Sequence, residues 1–236
     1  MASLHEKRVL VVGGSSGIGL AVAGQAAALG AEVTIASRSA EKLAAAAQDI
    51  GGLHTAVLDS TDAAAVEAFF AEQAAFDHIV VSAAVTPIAS VHDLSLADAR
   101  GAMESKFWGA YHVARAARLT ERGSLTLVSG FLADRPVAGA ALQGAINAAL
   151  DSLARGLALE LSPVRVNSVS PGMIDTPLWA GMDEAAREAM YAGVAASVPA
   201  KVMGQPGDVA NAVLYLMQTP FSTGSTVRVD GGGAIG

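Results

Sequence analysis

The chain has 236 residues, 52% of them hydrophobic, and a formal net charge of −7. This length suits one α/β domain that buries a full core without disulfide bonds, and the sequence contains no cysteine. The acidic balance argues against a nucleic-acid partner. No apolar run approaches the roughly 20 residues that span a bilayer, and the five histidines lack metal-ligand spacing. We therefore expect a cytoplasmic protein with no metal and no membrane partner.

Short β-branched runs alternate with longer helical stretches along the chain. The pattern predicts strands at 8–12, 32–37, 53–58, 78–82, 124–129, 164–168 and 226–230, with helices at 17–29, 40–49, 62–73, 96–118 and 140–161 between them. Continuous apolar strands separated by helices are typical of a parallel sheet covered on both faces. The predicted fold is therefore a single-domain α/β protein with a doubly wound parallel sheet.

The first predicted strand runs into the glycine-rich turn Gly-Gly-Ser-Ser-Gly-Ile-Gly at residues 13–19. Gly13 permits a sharp turn, Gly17 lets phosphates approach the backbone, and Gly19 lets the following helix pack on the sheet. The helix N-terminus adds free N–H groups and the positive end of its dipole. This context predicts a Rossmann-type dinucleotide turn formed by Gly13, Ser15, Ser16, Gly17, Ile18 and Gly19.

The end of the second predicted strand indicates which dinucleotide is bound. An acidic residue there would pair with a ribose 2′-hydroxyl, but this chain has Ser37 followed by Arg38. A hydroxyl and a guanidinium suit a 2′-phosphate, which favours NADP(H) over NAD(H). The alternative is a solvated arginine at the start of a loop.

Over nearly its whole length the chain resembles the short-chain dehydrogenase/reductase family. The resemblance is carried by the turn at 13–19, with Val12 where the family has Thr, and by Leu58-Asp59-Ser60, Val81-Ser82-Ala83-Ala84, Arg165-Val166-Asn167, Ser170-Pro171-Gly172 and Val229-Asp230-Gly231-Gly232. It implies that Asp59 and Ser60 lie at the adenine and that Ser82, Ala83 and Ala84 line the cofactor ribose. It also implies that Pro171, Gly172, Ile174 and Thr176 hold the nicotinamide end.

The catalytic positions depart from the family pattern, in which Asn, Ser, Tyr and Lys act together. By alignment of the helix at 140–161, the Lys position holds Asn147 and the Tyr position holds Gln143. The Asn position holds Lys106. The Ser position falls on Gly130, or on Ser129 if the loop carries a one-residue insertion. No tyrosine occurs between residues 112 and 190, so the usual proton donor is missing.

These departures leave three functions open. The first is an NADP(H)-dependent oxidoreductase acting on a carbonyl or activated double bond of a small molecule, in which Lys106 polarises the substrate or donates the proton while Ser129, Gln143 and Asn147 orient it. The second is a non-redox isomerase, dehydratase or cyclase, and the third is a catalytically silent NADPH-binding protein. The resemblance further implies a homotetramer or homodimer, and a substrate lid at about 178–198.

Overall fold

The computed structural model describes residues 2–236, which form seven strands and eight α-helices. The strands are β1 Arg8–Val12, β2 Glu32–Ser37, β3 His54–Val57, β4 Phe76–Val81, β5 Leu119–Val128, β6 Arg165–Pro171 and β7 Thr226–Val229. The helices are α1 Gly17–Ala28, α2 Ala40–Ile50, α3 Ala63–Glu72, α4 Leu96–Ala102, α5 Gly109–Ala116, α6 Ala141–Glu160, α7 Glu184–Ser197 and α8 Pro206–Gln218. A π-helical segment, Met103–Trp108, joins α4 to α5.

The strands form one sheet in the order β3-β2-β1-β4-β5-β6-β7, and every neighbouring pair is parallel. The chain winds outward from β1 to β3, then crosses back to β4 on the other side of β1. This reversal opens a crevice at the carboxyl ends of β1 and β4, where α/β sheets bind ligands. The predicted doubly wound, single-sheet α/β fold is confirmed.

Helices cover both faces of the sheet with separate apolar cores. On one face, α1, α2 and α8 bury residues such as Val22, Leu43 and Val213 against β1 and β2. On the other face, α3, α5 and α6 form the second core, in which Phe70 and Leu150 are buried together with apolar side chains of the central strands. Parallel strands that are buried on both sides need continuous apolar sequence. The strands could therefore be predicted from the apolar segments of the sequence.

The structure corrects two of the predicted elements and adds the helices α7 and α8. The predicted helix at 96–118 ends at Ala116 and contains the π-helical segment. Strand β5 begins at Leu119 rather than at residue 124, because Leu119 pairs with Phe76 on β4. Helix α8 was not predicted, although Pro206 in its first turn and its capping box are ordinary helix-start signals.

Two absences hold for residues 2–236. None of their helices combines the length and apolar character needed to cross a bilayer. None of their acidic, histidine or cysteine side chains gather in a group of three that could hold a metal ion.

Candidate active site

A cleft of about 830 Å³ lies at the carboxyl ends of the central strands. Its lining comes from the turn after β1, the ends of β2 and β4, the π-helical segment, α6 and the stretch after β6. This volume lies within the range of roughly 300–1,000 Å³ that is usual for small-molecule and cofactor sites. The topology therefore gathers residues from distant parts of the sequence at one edge of the sheet.

The glycine turn forms one wall of the cleft and leaves no room for side chains at its bends. Gly13 and Gly17 have φ values of +86° and +53°, in the left-handed region that favours glycine. A Cβ on Gly19 would lie 2.2 Å from the Gly13 carbonyl oxygen, so only glycine lets α1 start this close to β1. Ser16 is the N-cap of α1, yet its side chain does not cap the helix. The first N–H groups of α1 therefore remain available to a phosphate, and the cradle fits a dinucleotide.

A basic and hydroxyl-rich corner lies where β2 ends. Ser37, Arg38 and Lys42 all line the cleft there. The Ser37 hydroxyl is buried and has no hydrogen-bond partner within residues 2–236. Lys42 lies in the first turn of α2, whose N-cap Ser39 accepts a hydrogen bond from the Lys42 backbone N–H at 3.2 Å. Two cations and an unpaired hydroxyl suit a phosphate at this end of the cleft.

Asp59 lies on the neighbouring wall and is held in its ionised form. Its Oδ1 accepts hydrogen bonds from the Thr61 backbone N–H at 2.9 Å and the Thr61 hydroxyl at 2.8 Å. The backbone hydrogen bond contributes most to lowering the pKa of Asp59, and the charge of Arg38 also lowers it. The other carboxylate oxygen is left to accept a hydrogen bond from a ligand.

The opposite end of the cleft is built by the chain after β6. Gly172 packs directly on the C-terminal turn, where an added Cβ would lie 2.8 Å from Asp230 Cα. Ile174 is buried, and its carbonyl oxygen accepts a hydrogen bond from Trp179 Nε1 at 2.9 Å. Thr176 lies beside Gly17, so this segment closes onto the glycine turn. Of the segment 178–198, only Leu178 and Trp179 line the cleft.

Lys106 lies between these two ends and is enclosed by protein, with 8% of its surface exposed. Its Nζ donates hydrogen bonds to Asn147 Oδ1 at 2.6 Å and to the Ser129 carbonyl oxygen at 2.8 Å. An ammonium has three N–H donors, so one remains for a ligand. Burial lowers the pKa of Lys106 from 10.5 to about 8, and the charge of Asp151 opposes this shift.

The π-helical segment is what presents Lys106 to the cleft. The wider turn shifts the residues after it around the helix axis relative to a regular α-helix, and such segments are frequent at functional sites. Lys106 is the one residue of Met103–Trp108 that is buried. Gly109, the first residue of α5, packs against Ser60, where a Cβ would lie 2.8 Å from the hydroxyl oxygen.

The structure distinguishes the roles of Ser129 and Gly130. The Ser129 hydroxyl donates to the Val169 carbonyl oxygen at 3.3 Å, while its own carbonyl oxygen holds Lys106. A Cβ built on Gly130 would lie 2.7 Å from Asn147 Nδ2. The position whose side chain would face Asn147 is therefore 130. Ser129 contributes to the cluster through its backbone carbonyl.

Gln143 lies on the same face of α6 as Asn147, one turn earlier. Its Nε2 donates a hydrogen bond to the Thr86 hydroxyl at 3.2 Å, and both residues line the cleft. Among the cleft-lining residues that the structure describes there is no tyrosine.

Nearly all of the predicted site residues meet in this one cleft. Those that line it are Gly13, Ser15, Ser16, Gly17, Ile18, Ser37, Arg38, Asp59, Ser60, Ser82, Ala83, Ala84, Lys106, Ser129, Gln143, Asn147, Pro171, Gly172, Ile174 and Thr176. Gly19 lies behind the turn and acts through packing. Sequence reasoning missed Lys42, Thr61 and Thr86. Lys42 carried a signal, because it lies in the first turn of the predicted helix after Arg38.

Comparison with known proteins agrees with this arrangement. The family model described as enoyl-(acyl carrier protein) reductase matches residues 12–233. A short-chain dehydrogenase/reductase from Stachybotrys chlorohalonatus is 32% identical, over 98% of this chain and 98% of its own. A small-chain dehydrogenase solved in complex with NADPH is 34% identical, with a TM-score of 0.85 and coverage of 98% of this chain and 100% of its own. The reductase/Diels-Alderase MalC from Malbranchea aurantiaca is 27% identical, with a TM-score of 0.89 and coverage of 99% and 98%.

A doubly wound sheet with a glycine cradle at its switch point defines a dinucleotide-binding protein of the oxidoreductase type. Within that class, the chain belongs to the short-chain dehydrogenase/reductase family.

Proposed function

We propose that this protein is an NADP(H)-dependent oxidoreductase that reduces a carbonyl or activated double bond of a small molecule, with Lys106 as its proton donor. The observation that carries the proposal is the buried Lys106 ammonium, fixed by Asn147 and Ser129 on the wall of the cleft. Relative to the family pattern, lysine and asparagine have exchanged helices while Gln143 replaces tyrosine. The positive charge thus stays in the cleft but comes from the π-helical segment.

The position of Lys106 in the cleft supports a direct role for it in proton transfer. The glycine turn and the segment after β6 would hold NADPH, which when bound would supply the hydride for the electrophilic carbon. The free N–H of Lys106 faces the oxygen on which negative charge develops, donates its proton there and is left as a neutral amine that water reprotonates. A buried cation at this point stabilises a developing alkoxide or enolate and repels a substrate that is already cationic. Ketones, enones and quinone-like carbonyls therefore suit the cleft better than iminium ions.

Substitution of Lys106 by methionine tests the assignment. We expect Lys106→Met to lower kcat for NADPH oxidation by roughly 100-fold or more, the usual contribution of a general acid, while the NADPH dissociation constant changes little. Stopped-flow absorbance and cofactor fluorescence measure the two quantities. The matched control is Lys7→Met, because Lys7 is exposed at the far end of β1. Undiminished turnover in the Lys106 variant would refute the proposal.

A second candidate is a cyclisation without net redox change. Two observations favour it: no tyrosine is present among the described lining residues, and one structural relative is a reductase/Diels-Alderase. Substrate consumption without NADPH oxidation would identify this activity.

The preference for NADP(H) rests on Arg38, Lys42 and the unpaired hydroxyl of Ser37. We expect Arg38→Ala to weaken NADPH binding roughly 10- to 100-fold, because a charge-assisted hydrogen bond contributes about 1.5–3 kcal/mol. NADH has no 2′-phosphate, so its dissociation constant should change little. The control is Arg122→Ala, an exposed arginine near the start of β5. Equal losses for NADPH and NADH would show that Arg38 does not recognise the 2′-phosphate.

We also propose that residues 178–198 form a lid and that the chain assembles as a homodimer or homotetramer. The lid is supported by α7, none of whose residues is buried, and by Trp179 at the edge of the cleft. Assembly is supported by large apolar side chains left exposed along α4 to α6, which are Leu96, Trp108, Tyr111 and Leu159. Light scattering after size-exclusion chromatography measures the oligomeric state.

A further inference from the structure

Besides the Ser37 hydroxyl, the amide oxygen of Gln143 on the cleft wall lacks a hydrogen-bond partner. Gln143 Oε1 is closed off from solvent and accepts no hydrogen bond from any of the described residues, although Nε2 of the same amide is held by Thr86. Leaving a buried acceptor unpaired costs free energy, and such a group in a ligand cleft points to a ligand that donates to it. The torsion that orients a glutamine amide is broad, so a small rotation brings Oε1 to an entering group.

The position of this acceptor relative to Lys106 limits what the ligand can be. Gln143 and Asn147 are one helical turn apart on α6, with Cβ atoms separated by about 5–6 Å. Asn147 in turn holds the Lys106 ammonium. The donor Lys106 therefore lies one hydrogen bond from Asn147, and the acceptor Gln143 lies one helical turn from Asn147, so both border the same part of the cleft. An α- or β-hydroxy carbonyl spans such a pair with one hydrogen bond at each end.

We propose that Gln143 selects carbonyl substrates that carry a hydroxyl group next to the reacting carbonyl. The hydroxyl donates to Gln143 Oε1, while the carbonyl oxygen accepts from Lys106. This inference rests on the proposed reductase function and narrows its substrate class. A site built to receive a hydroxyl rejects an analogue that cannot donate, because the acceptor is then left unpaired.

The test uses acetoin, its methyl ether and butanone, with NADPH oxidation as the readout. We expect wild-type protein to prefer acetoin over both analogues by roughly 10- to 100-fold in kcat/KM. Gln143→Met, which keeps the length but removes the amide, should reduce that preference to within about threefold. Gln143→Glu keeps an acceptor oxygen and should restore the preference. Equal use of acetoin and its ether by wild type, or a preference that survives in Gln143→Met, overturns the inference.

A binding measurement separates this inference from the proposed chemistry. Isothermal titration of acetoin and butanone into NADPH-loaded protein reports selection even when no reduction follows. A preference for acetoin that disappears in Gln143→Met supports the role of Gln143, even in a protein that reduces none of the three compounds. The loss of turnover in Lys106→Met bears on the reductase function alone.

Discussion

Lys106 is kept in a surrounding that disfavours its charged form. Lys106 donates hydrogen bonds to Asn147 Oδ1 and to the Ser129 carbonyl oxygen, and these bonds together with the charge of Asp151 offset part of the lost hydration. Burial still lowers the pKa of Lys106 to about 8. A cation retained at this cost, inside a cleft, is typical of a group that takes part in chemistry.

The pH dependence of the reaction follows from this pKa. A proton donor works only in its protonated form, so kcat/KM for carbonyl reduction should be constant well below pH 8, fall to about half at the pKa of about 8 and decline further above it. At one pH unit above the pKa the rate should be about tenfold below the plateau. Initial rates of NADPH oxidation under saturating cofactor measure the profile. A rate that stays constant well above that pKa would contradict proton donation by Lys106.

The residues at 130, 147 and 106 depend on one another. A Cβ at 130 would lie 2.7 Å from Asn147 Nδ2, so the amide that accepts the hydrogen bond from Lys106 would have to shift. Glycine at 130, asparagine at 147 and lysine at 106 therefore form one consistent arrangement. The sequence gives each of these residues separately, but only the structure shows that Gly130 packs on Asn147 and that Asn147 accepts a hydrogen bond from Lys106.

At the scale of the element, close packing fixes the strand-turn-helix unit of β1 and α1, and this packing requires glycine at position 19. We expect Gly19→Ala to destabilise the fold by roughly 1–3 kcal/mol, because the new Cβ would overlap the Gly13 carbonyl oxygen. It should also weaken NADPH binding by displacing the turn. Thermal unfolding and cofactor titration measure the two effects.

The control substitution is expected to change protein stability in the opposite direction. Gly156 lies within α6, and a Cβ there would meet nothing within 4 Å. Gly156→Ala should therefore stabilise the protein by roughly 0.5–1 kcal/mol through the better helix propensity of alanine. Equal effects on stability from the two substitutions would show that close packing at Gly19 does not cause the destabilisation.

The helix at 96–118 illustrates what local pattern leaves undecided. Its apolar spacing predicted one continuous helix, and the π-helical turn at Met103–Trp108 was not foreseen. A single wider turn changes the apolar spacing too little to be read locally. Its effect is nevertheless large, because it directs Lys106 inward to Asn147 and Ser129.

At the scale of the whole molecule, the end of the sheet opposite the cleft contains a buried histidine. His78 Nδ1 lies 2.8 Å from the Ser124 hydroxyl oxygen, and burial lowers the pKa of His78 from 6.5 to about 4, with the charge of Arg165 adding to the effect. In the unfolded chain this imidazole binds a proton near pH 6.5. Between these two pKa values the unfolded state binds more protons, so folding stability increases with pH there.

We therefore expect the contribution of His78 to the free energy of unfolding to be complete above pH 6.5 and to be lost as the pH falls from 6.5 to about 4. This loss should lower the free energy of unfolding by at most roughly 3 kcal/mol. Urea unfolding at several pH values, compared between wild type and His78→Gln, isolates the contribution of His78 to the pH dependence of stability. His54→Gln at the exposed edge strand β3 is the matched control. Parallel stability curves for wild type and His78→Gln would refute this account.

The sequence by itself determined the fold class, the glycine turn and the family, because each depends on local spacing: apolar strand runs, glycines at bends, and short motifs between them. Most of the candidate cofactor and catalytic residues followed from the resemblance to the family, and the structure places them along one cleft. Only the tertiary structure decided which hydrogen bonds join Lys106, Asn147 and Ser129. The hydrogen bonds from Lys106 to Asn147 and to the Ser129 carbonyl join residues 41 and 23 positions apart, and neither burial nor the resulting pKa can be read from a local pattern. The unpaired oxygen of Gln143 is of the same kind, since a missing partner becomes visible only when all neighbours are in place.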